Sequence, residues 1–270
     1  MSTLAETFDS LHRQDKILIL PNAWDAVSAK IIEEAGAQAI ASTSAGVAWS
    51  LGFPDGNMLP IKALGRWVES VTDVIRVPLT VDFEGGYTQD ASAIANNLYP
   101  ILDAGAVGIN IEDGEGAPDL LQRKIEQARK AAEIAGVKLF INARTDVYLA
   151  DLCPPEHRAI ETISRAARYR EAGADGIFIP HLTDTEHIRV IVQEVKMPVN
   201  LMASPGLAQS NLLTKLGVRR LSTGGGLARV VWNQVAELAK SFLATGNSQL
   251  VVENAMAYSK LQKFFDLETT

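Results

Sequence analysis

With a single cysteine, Cys153, the sequence can form no intrachain disulfide and offers no thiolate cluster for zinc, which fits a reducing, cytoplasmic setting. No apolar run approaches the roughly 18 residues that a membrane helix needs. The N-terminus, MSTLAETFDSLHRQDK, is polar and amphipathic, so neither a membrane partner nor a signal peptide is expected. Basic residues are not concentrated anywhere: 25 Lys and Arg are interspersed with 32 Asp and Glu, a formal charge of −7, and this argues against a nucleic-acid partner. Histidine is scarce, four in all; His12, His157 and His187 fall in helical or terminal stretches and read as surface residues. No Gly-x-Gly-x-x-Gly follows the first strand, which weakens a dinucleotide-binding reading. No Pro/Ser/Gly-rich linker interrupts the chain either, so residues 1–270 are expected to form one domain. With 47% apolar residues there is ample material for a core, and the expected partner is a small molecule.

What is present is an alternation. Short apolar runs read as strands at 17–20, 38–43, 78–83, 108–112, 139–144, 176–180, 198–202 and 220–224. Helical patterns lie between them at 25–35, 62–76, 91–104, 120–135, 156–172, 185–195 and 207–216. The junctions EEAGAQAI, LDAGAVGI and REAGADGI each put a glycine just past a helix end, where a positive φ costs little, and then begin a strand. Eight such units favour an α/β fold, a single (β/α)8 barrel of the TIM type, over an open doubly wound sheet. The stretch 226–270 is surplus to a simple barrel and reads as an extra C-terminal helical segment, opening with the amphipathic GLARVVWNQVAELAKSFLATG.

In such a barrel the chemistry sits just past the C-terminal ends of the strands. There the second strand leads into a long glycine-containing loop with Asp55, the third gives Asp82 and Glu84, and the fourth gives Asn110, Glu112 and Asp113. Asn142 and Arg144 follow on the fifth, His181 on the sixth, Asn200 and Ser204 on the seventh, and Ser222, Thr223 and GGG on the eighth. Alternation places Asp82 and Glu84 on the same side of their strand. Carboxylates converging on one mouth repel unless a cation is present. Oxygen-only ligands favour a hard cation, Mg²⁺ first and Mn²⁺ next. Arg144 has the planar fork suited to a carboxylate or a developing enolate, so the expected substrate is a small oxyacid. Bland readings stand beside these: Asp55 in FPDGN satisfies the rules for a turn, Arg144 has Asp146 within reach, and STGGG serves equally as a phosphate cradle or a plain turn.

The ordered set SLGFPDG, VDFEGGY, INIED, INARTD and IFIPH resembles the phosphoenolpyruvate mutase/isocitrate lyase superfamily, over nearly the whole span from LPNAWDAVSAKIIEEAGA to about Trp232. The resemblance implies a (β/α)8 barrel whose last helix is exchanged between subunits of a homodimer or homotetramer. It also implies Mg²⁺ and the making or breaking of a C–C or P–C bond beside a 2-oxo or 2-hydroxy carboxylate, through a metal-stabilised enolate. By this resemblance Asp82 is the direct metal ligand, and Asp55, Glu84 and Glu112 hold its water shell. Ser42, Thr43 and Ser44 would cradle the substrate carboxylate and Arg144 its enolate end. His181 matches a histidine of phosphonate-acting members, and Asn200 and Ser222 would line the mouth.

The resemblance has gaps. Lyases of the superfamily carry a Lys-x-Cys-Gly-His type gating loop after the fourth strand, whereas IEDGEGAPDLLQRK runs here almost directly into a helix. Ile40 replaces their tyrosine before the strand-two serine, and Glu84 stands where aspartate is usual. With the proton-transfer groups gone, the expected activity is Mg²⁺-dependent cleavage of a C–C bond next to the carbonyl of a small 2-oxo or 2-hydroxy acid, of lyase or decarboxylase type. Alternatives are a phosphonopyruvate- or phosphoenolpyruvate-type mutase or hydrolase working through His181, and a weakly catalytic protein that binds 2-oxo acids.

Overall fold

Strands apolar on both faces need cover on both. In the computed structural model, which describes residues 3–253 and 255–265, they receive it from a ring of helices outside and from packed side chains inside. The strands are β1 (Leu18–Leu20), β2 (Asn22–Ala23), β3 (Ile40–Ser42), β4 (Leu79–Asp82), β5 (Gly108–Glu112), β6 (Phe140–Arg144), β7 (Gly176–Ile179), β8 (Val199–Met202) and β9 (Arg220–Ser222). All pair in parallel in the order β1-β9-β8-β7-β6-β5-β4-β3-β2. β1 and β2 are the two halves of one staggered strand, separated by Pro21, which has no N–H to give to a ladder. The first half pairs with β9 and the second with β3, so the barrel closes through this segment.

The helices are α1 (Leu4–Leu11), α2 (Ala26–Glu34), α3 (Ser44–Ser50), α4 (Ile61–Thr72), α5 (Ile94–Asp103), α6 (Pro118–Ile134), α7 (Arg158–Glu171), α8 (Thr185–Val195), α9 (Ser210–Lys215), α10 (Gly226–Thr245), α11 (Gln249–Val252) and α12 (Tyr258–Phe264). The junction glycines Gly36, Gly105 and Gly173 all have φ between 95° and 106°, as their place after helix ends predicts.

Two stretches differ from the sequence-based expectation. The segment after β3 is a loop only in part, because α3 forms there by burying Val47 and Ala48, and packing overrides the weak helix propensity of a glycine-containing run. The N-terminal stretch forms α1, whose Phe8 and Leu11 enter the barrel interior beside Leu18, Val107 and Phe140 and plug the N-terminal ends of the strands. His12 is therefore not a surface residue: it is 2% exposed, stacked on Phe140 at 4.0 Å, with Nδ1 2.8 Å from the Phe8 carbonyl. Burial drops its pKa to about 3, so it is held neutral.

The expected C-terminal helical segment 226–270 supplies α10, α11 and α12; residues 254 and 266–270 lie outside the described residues. Along the 20 residues of α10 only Ala228 is buried. Its Trp232 meets Trp24 and Trp49 edge-on, at 6.0 and 5.9 Å between ring centroids, while Leu227, Val231, Val235 and Phe242 stay exposed.

Candidate active site

β4 ends where the apolar run meets its first acid. Asp82 stands at the mouth beside Asn110 of β5, its direct partner in the parallel register. Its backbone N–H donates to Ser42 Oγ at 2.7 Å, and its Oδ2 accepts the Ser44 N–H at 3.3 Å. The other oxygen, Oδ1, is buried and has no hydrogen-bond partner. Desolvation raises the Asp82 pKa, with Arg144 opposing the rise and Asp55 adding to it.

The chain then turns sharply. Glu84 has φ 47°, so the two-residue alternation that would put it on the same side as Asp82 fails beyond the strand end. Its carboxylate is buried between its own turn and the loop bearing Asp55: Oε1 accepts the hydroxyl of Tyr87 from the turn at 2.7 Å, and Oε2 accepts the Asn57 N–H from the loop. Burial raises the pKa of Glu84 as well. Asn57 Oδ1 in turn accepts the N–H groups of Gly85 and Tyr87 at 3.0 and 3.1 Å, so this acid and amide tie the loop bearing Asp55 to the β4 turn. Gly86 completes the turn at φ 81°, where a Cβ would run into Ile94.

Register also sets the opposite wall. Glu112 at the end of β5 pairs directly with Arg144 at the end of β6, and their side chains form an ion pair of 2.8 Å from Nη1 to Oε2. Nε and Nη2 of Arg144 donate to the two oxygens of Asp146 at 2.6 and 2.9 Å. The Asp146 pairing anticipated from spacing is thus real, yet two hydrogen bonds and one ion pair do not exhaust the five guanidinium N–H groups, and the remainder can serve a ligand. Desolvation raises the Glu112 pKa to about 8 despite Arg144, with Asp82, Asp146 and Glu84 adding to the rise.

Between these walls lies a cavity of about 140 Å³, lined by Thr43, Ser44, Asp55, Asp82, Asn110, Arg144, Phe178 and Ser222 among others. At roughly 30 Å³ per water this is room for one small acid or a few waters. Seven residues named from the sequence, Thr43, Ser44, Asp55, Asp82, Asn110, Arg144 and Ser222, therefore meet at one place. The others stand back from it. Ser42 is buried, its hydroxyl and carbonyl engaged by the N–H of Asp82 and the amide of Asn22, and Asn200 is buried beneath Ser222 at 3.4 Å. Glu112 lines an adjoining cavity of about 230 Å³ with Asn57, Gly85 and Lys124. His181, at φ 63°, is exposed beside the cavity-lining Pro180 and does not line the cavity itself.

Sequence reasoning passed over Asn22, which stands after β1 in LPNAWD. Its Oδ1 accepts the N–H groups of Thr223 and Gly224, each at 2.9 Å, while its Nδ2 donates to the Ser42 carbonyl at 2.6 Å. Two amides of the STGGG turn are thereby consumed internally. The rule that located the other residues, polar groups just past a strand end, would have found it had the first strand been extended past Pro21.

Among the described residues no group of three or more His, Cys, Asp or Glu is arranged to hold a metal ion by side chains alone. The donor set suits a cation that keeps most of its waters and takes one or two carboxylates: Asp82 offers a buried, unpartnered oxygen, and Asp55 shares its cavity.

Residues 8–243 match the family model described as phosphoenolpyruvate phosphomutase. An uncharacterised protein of Mycobacterium tuberculosis is 36% identical over 224 residues, 81% of each chain. A 2-methylisocitrate lyase of Halalkalibacterium halodurans is 27% identical over 245 residues, covering 86% of this chain and 75% of its own. A solved chain from Burkholderia cenocepacia J2315 superposes with TM-score 0.87 at 31% identity, over 97% of this chain and 95% of the other.

Proposed function

Because the chain belongs to the phosphoenolpyruvate phosphomutase family, within the phosphoenolpyruvate mutase/isocitrate lyase superfamily of enzymes, we propose that it cleaves a C–C bond beside the carbonyl of a small 2-oxo acid, with decarboxylation of an oxaloacetate-type substrate as the reaction. The observation that carries this reading is the cavity itself, lined by both Asp82, with its unpartnered oxygen, and Arg144, with no His, Cys or Lys on the lining. Asp82 would hold a divalent cation, Mg²⁺ before Mn²⁺, with Asp55, Glu84 and Glu112 acting on its surroundings. Bound there, the cation supplies Lewis acidity to the 2-oxo group. Thr43 and Ser44 would orient the substrate carboxylate from the α3 side. As the C–C bond breaks, its electron pair moves toward the C2 carbonyl, and Arg144 stabilises the negative charge that develops on that oxygen. The leaving group departs as CO₂, and the remaining enolate takes a proton from water. No side-chain base is needed in the breaking step, which matches the absence of the gating loop that supplies proton-transfer groups elsewhere in the superfamily.

The test is pyruvate release from oxaloacetate, phosphonopyruvate and 2-methylisocitrate with MgCl₂, corrected for the enzyme-free rate, in the parent protein, Asp82→Ala and Arg144→Ala. The reading expects oxaloacetate turnover lost in both variants. Turnover that survives both sinks the site assignment, and vigorous 2-methylisocitrate cleavage would replace decarboxylation with lyase chemistry.

The same reading extends to assembly. A 20-residue helix with one buried residue, flanked by an apolar groove of about 500 Å³ lined by Trp24, Val27, Ile31, Val231, Trp232 and Val235, is suited to a second copy of the chain. A homodimer or homotetramer with α10 exchanged between subunits would cover it.

A further inference from the structure

Arg144 can recognise a planar acid only if its guanidinium plane is held at one angle, and one of its two ion-pair partners, Asp146, is itself held by a residue outside the lining of the active-site cavity. Asp113, next after β5, contacts the Arg144–Asp146 segment twice. Its backbone N–H donates to the Arg144 carbonyl at 3.2 Å, and its Oδ1 accepts the Asp146 N–H at 3.0 Å. Its other oxygen, Oδ2, accepts the Tyr169 hydroxyl at 2.5 Å and Arg165 Nη1 at 2.9 Å, both from one face of α7. The Asp113 side chain is wholly buried, and that of Asp146 is 8% exposed. Both carboxylate oxygens of Asp113 are therefore committed, one to the 144–146 segment and one to α7, and Asp146 passes the constraint to the Nε–Nη2 edge of the guanidinium.

We propose that Asp113, braced by Tyr169 and Arg165, is a positioning residue for Arg144, setting the orientation in which the guanidinium meets the substrate. This rests on the reading of Arg144 as the substrate-binding cation. An unbraced Asp146 leaves Arg144 charged and still paired with Glu112 but able to turn about that contact, and the loss falls on ligands that need two aligned N–H groups rather than on the metal.

The experiment uses the full chain and two probes, Mg²⁺ alone and oxalate in the presence of Mg²⁺, measured by calorimetry on Asp113→Asn, Tyr169→Phe and Arg144→Lys, with thermal melts of each. Asp113→Asn turns a donor amide toward Arg165, and it should weaken oxalate about tenfold while Mg²⁺ affinity stays within about twofold. Tyr169→Phe removes one of the two bonds to Oδ2 and should weaken oxalate about threefold. A merely structural role predicts a lower melting temperature with both affinities unchanged, or both falling together, and either outcome overturns the proposal. If Asp113→Asn does not fold, Tyr169→Phe decides by the same split between probes. Oxalate binding that is lost in Arg144→Lys and intact in the other two overturns the positioning role alone. Oxalate binding intact in Arg144→Lys overturns the reading of Arg144 beneath it.

Discussion

Asp82 carries one carboxylate oxygen with no hydrogen-bond partner, and burial raises its pKa as it does those of Glu84 and Glu112 behind the cavity wall. An amide at this position removes a buried charge that lacks full compensation. Asp82→Asn should therefore abolish Mg²⁺ binding in calorimetry and lower turnover on the order of 100-fold or more, while raising stability of the metal-free protein by about 1 kcal/mol in urea unfolding. Glu112 gives a pH signature. Its pKa is about 8 in the folded chain against 4.5 unfolded, so the native state binds the extra proton between those values. Its contribution to stability is full below about pH 4.5 and is lost as pH rises through 8. Thermal melts should show Mg²⁺ stabilising the protein more at pH 8 than at pH 6, with that difference reduced in Glu112→Gln. Asp82, Asp55 and Arg144 were legible in the sequence because strand ends in a barrel declare where side chains converge. Glu84 was legible as an acid but misread in direction, because a residue at φ 47° does not obey strand alternation. Asp113 reads in the sequence as one more polar residue past a strand end, because its contacts with the 144–146 segment and its bracing by α7 both come from distant parts of the chain.

At the scale of elements, the β/α alternation was legible because the helix-to-strand junctions at Gly36, Gly105 and Gly173 repeat one pattern and the strands are mostly apolar. α1 was not, since a short amphipathic stretch ahead of the first strand is ordinary surface by pattern, and only the open bottom of the barrel gives Phe8 and Leu11 somewhere to go. Phe8→Ala should cost about 3–5 kcal/mol in denaturant unfolding, the usual penalty for emptying a fully buried aromatic site. His12 adds acid sensitivity to the same plug. With a folded pKa of about 3, well below the 6.5 of an unfolded histidine, it contributes stability that is present above pH 6.5 and lost progressively as pH falls toward 3. In His12→Leu the fall in melting temperature from pH 7 to pH 5 should shrink.

For the whole molecule, α10 poses the question of assembly. Val230 and Leu243 are 62% and 85% exposed, and a helix this apolar on an isolated barrel invites self-association. If α10 is covered by a second copy as proposed, replacing Val231 and Val235 with glutamate should lower the mass in light scattering to that of a monomer without changing the far-ultraviolet signature of the barrel. No helix among the described residues is long and apolar enough to cross a membrane, so the exposed face does not belong to a helical span. The closure of the sheet has a consequence of a different kind. Leu18 pairs with Arg220, so the seam can be sewn only after the last strand has left the ribosome. Until then the nascent sheet has two open edges, one near each end of the chain, and the cell must keep both from finding strands of other chains for most of the time that synthesis takes.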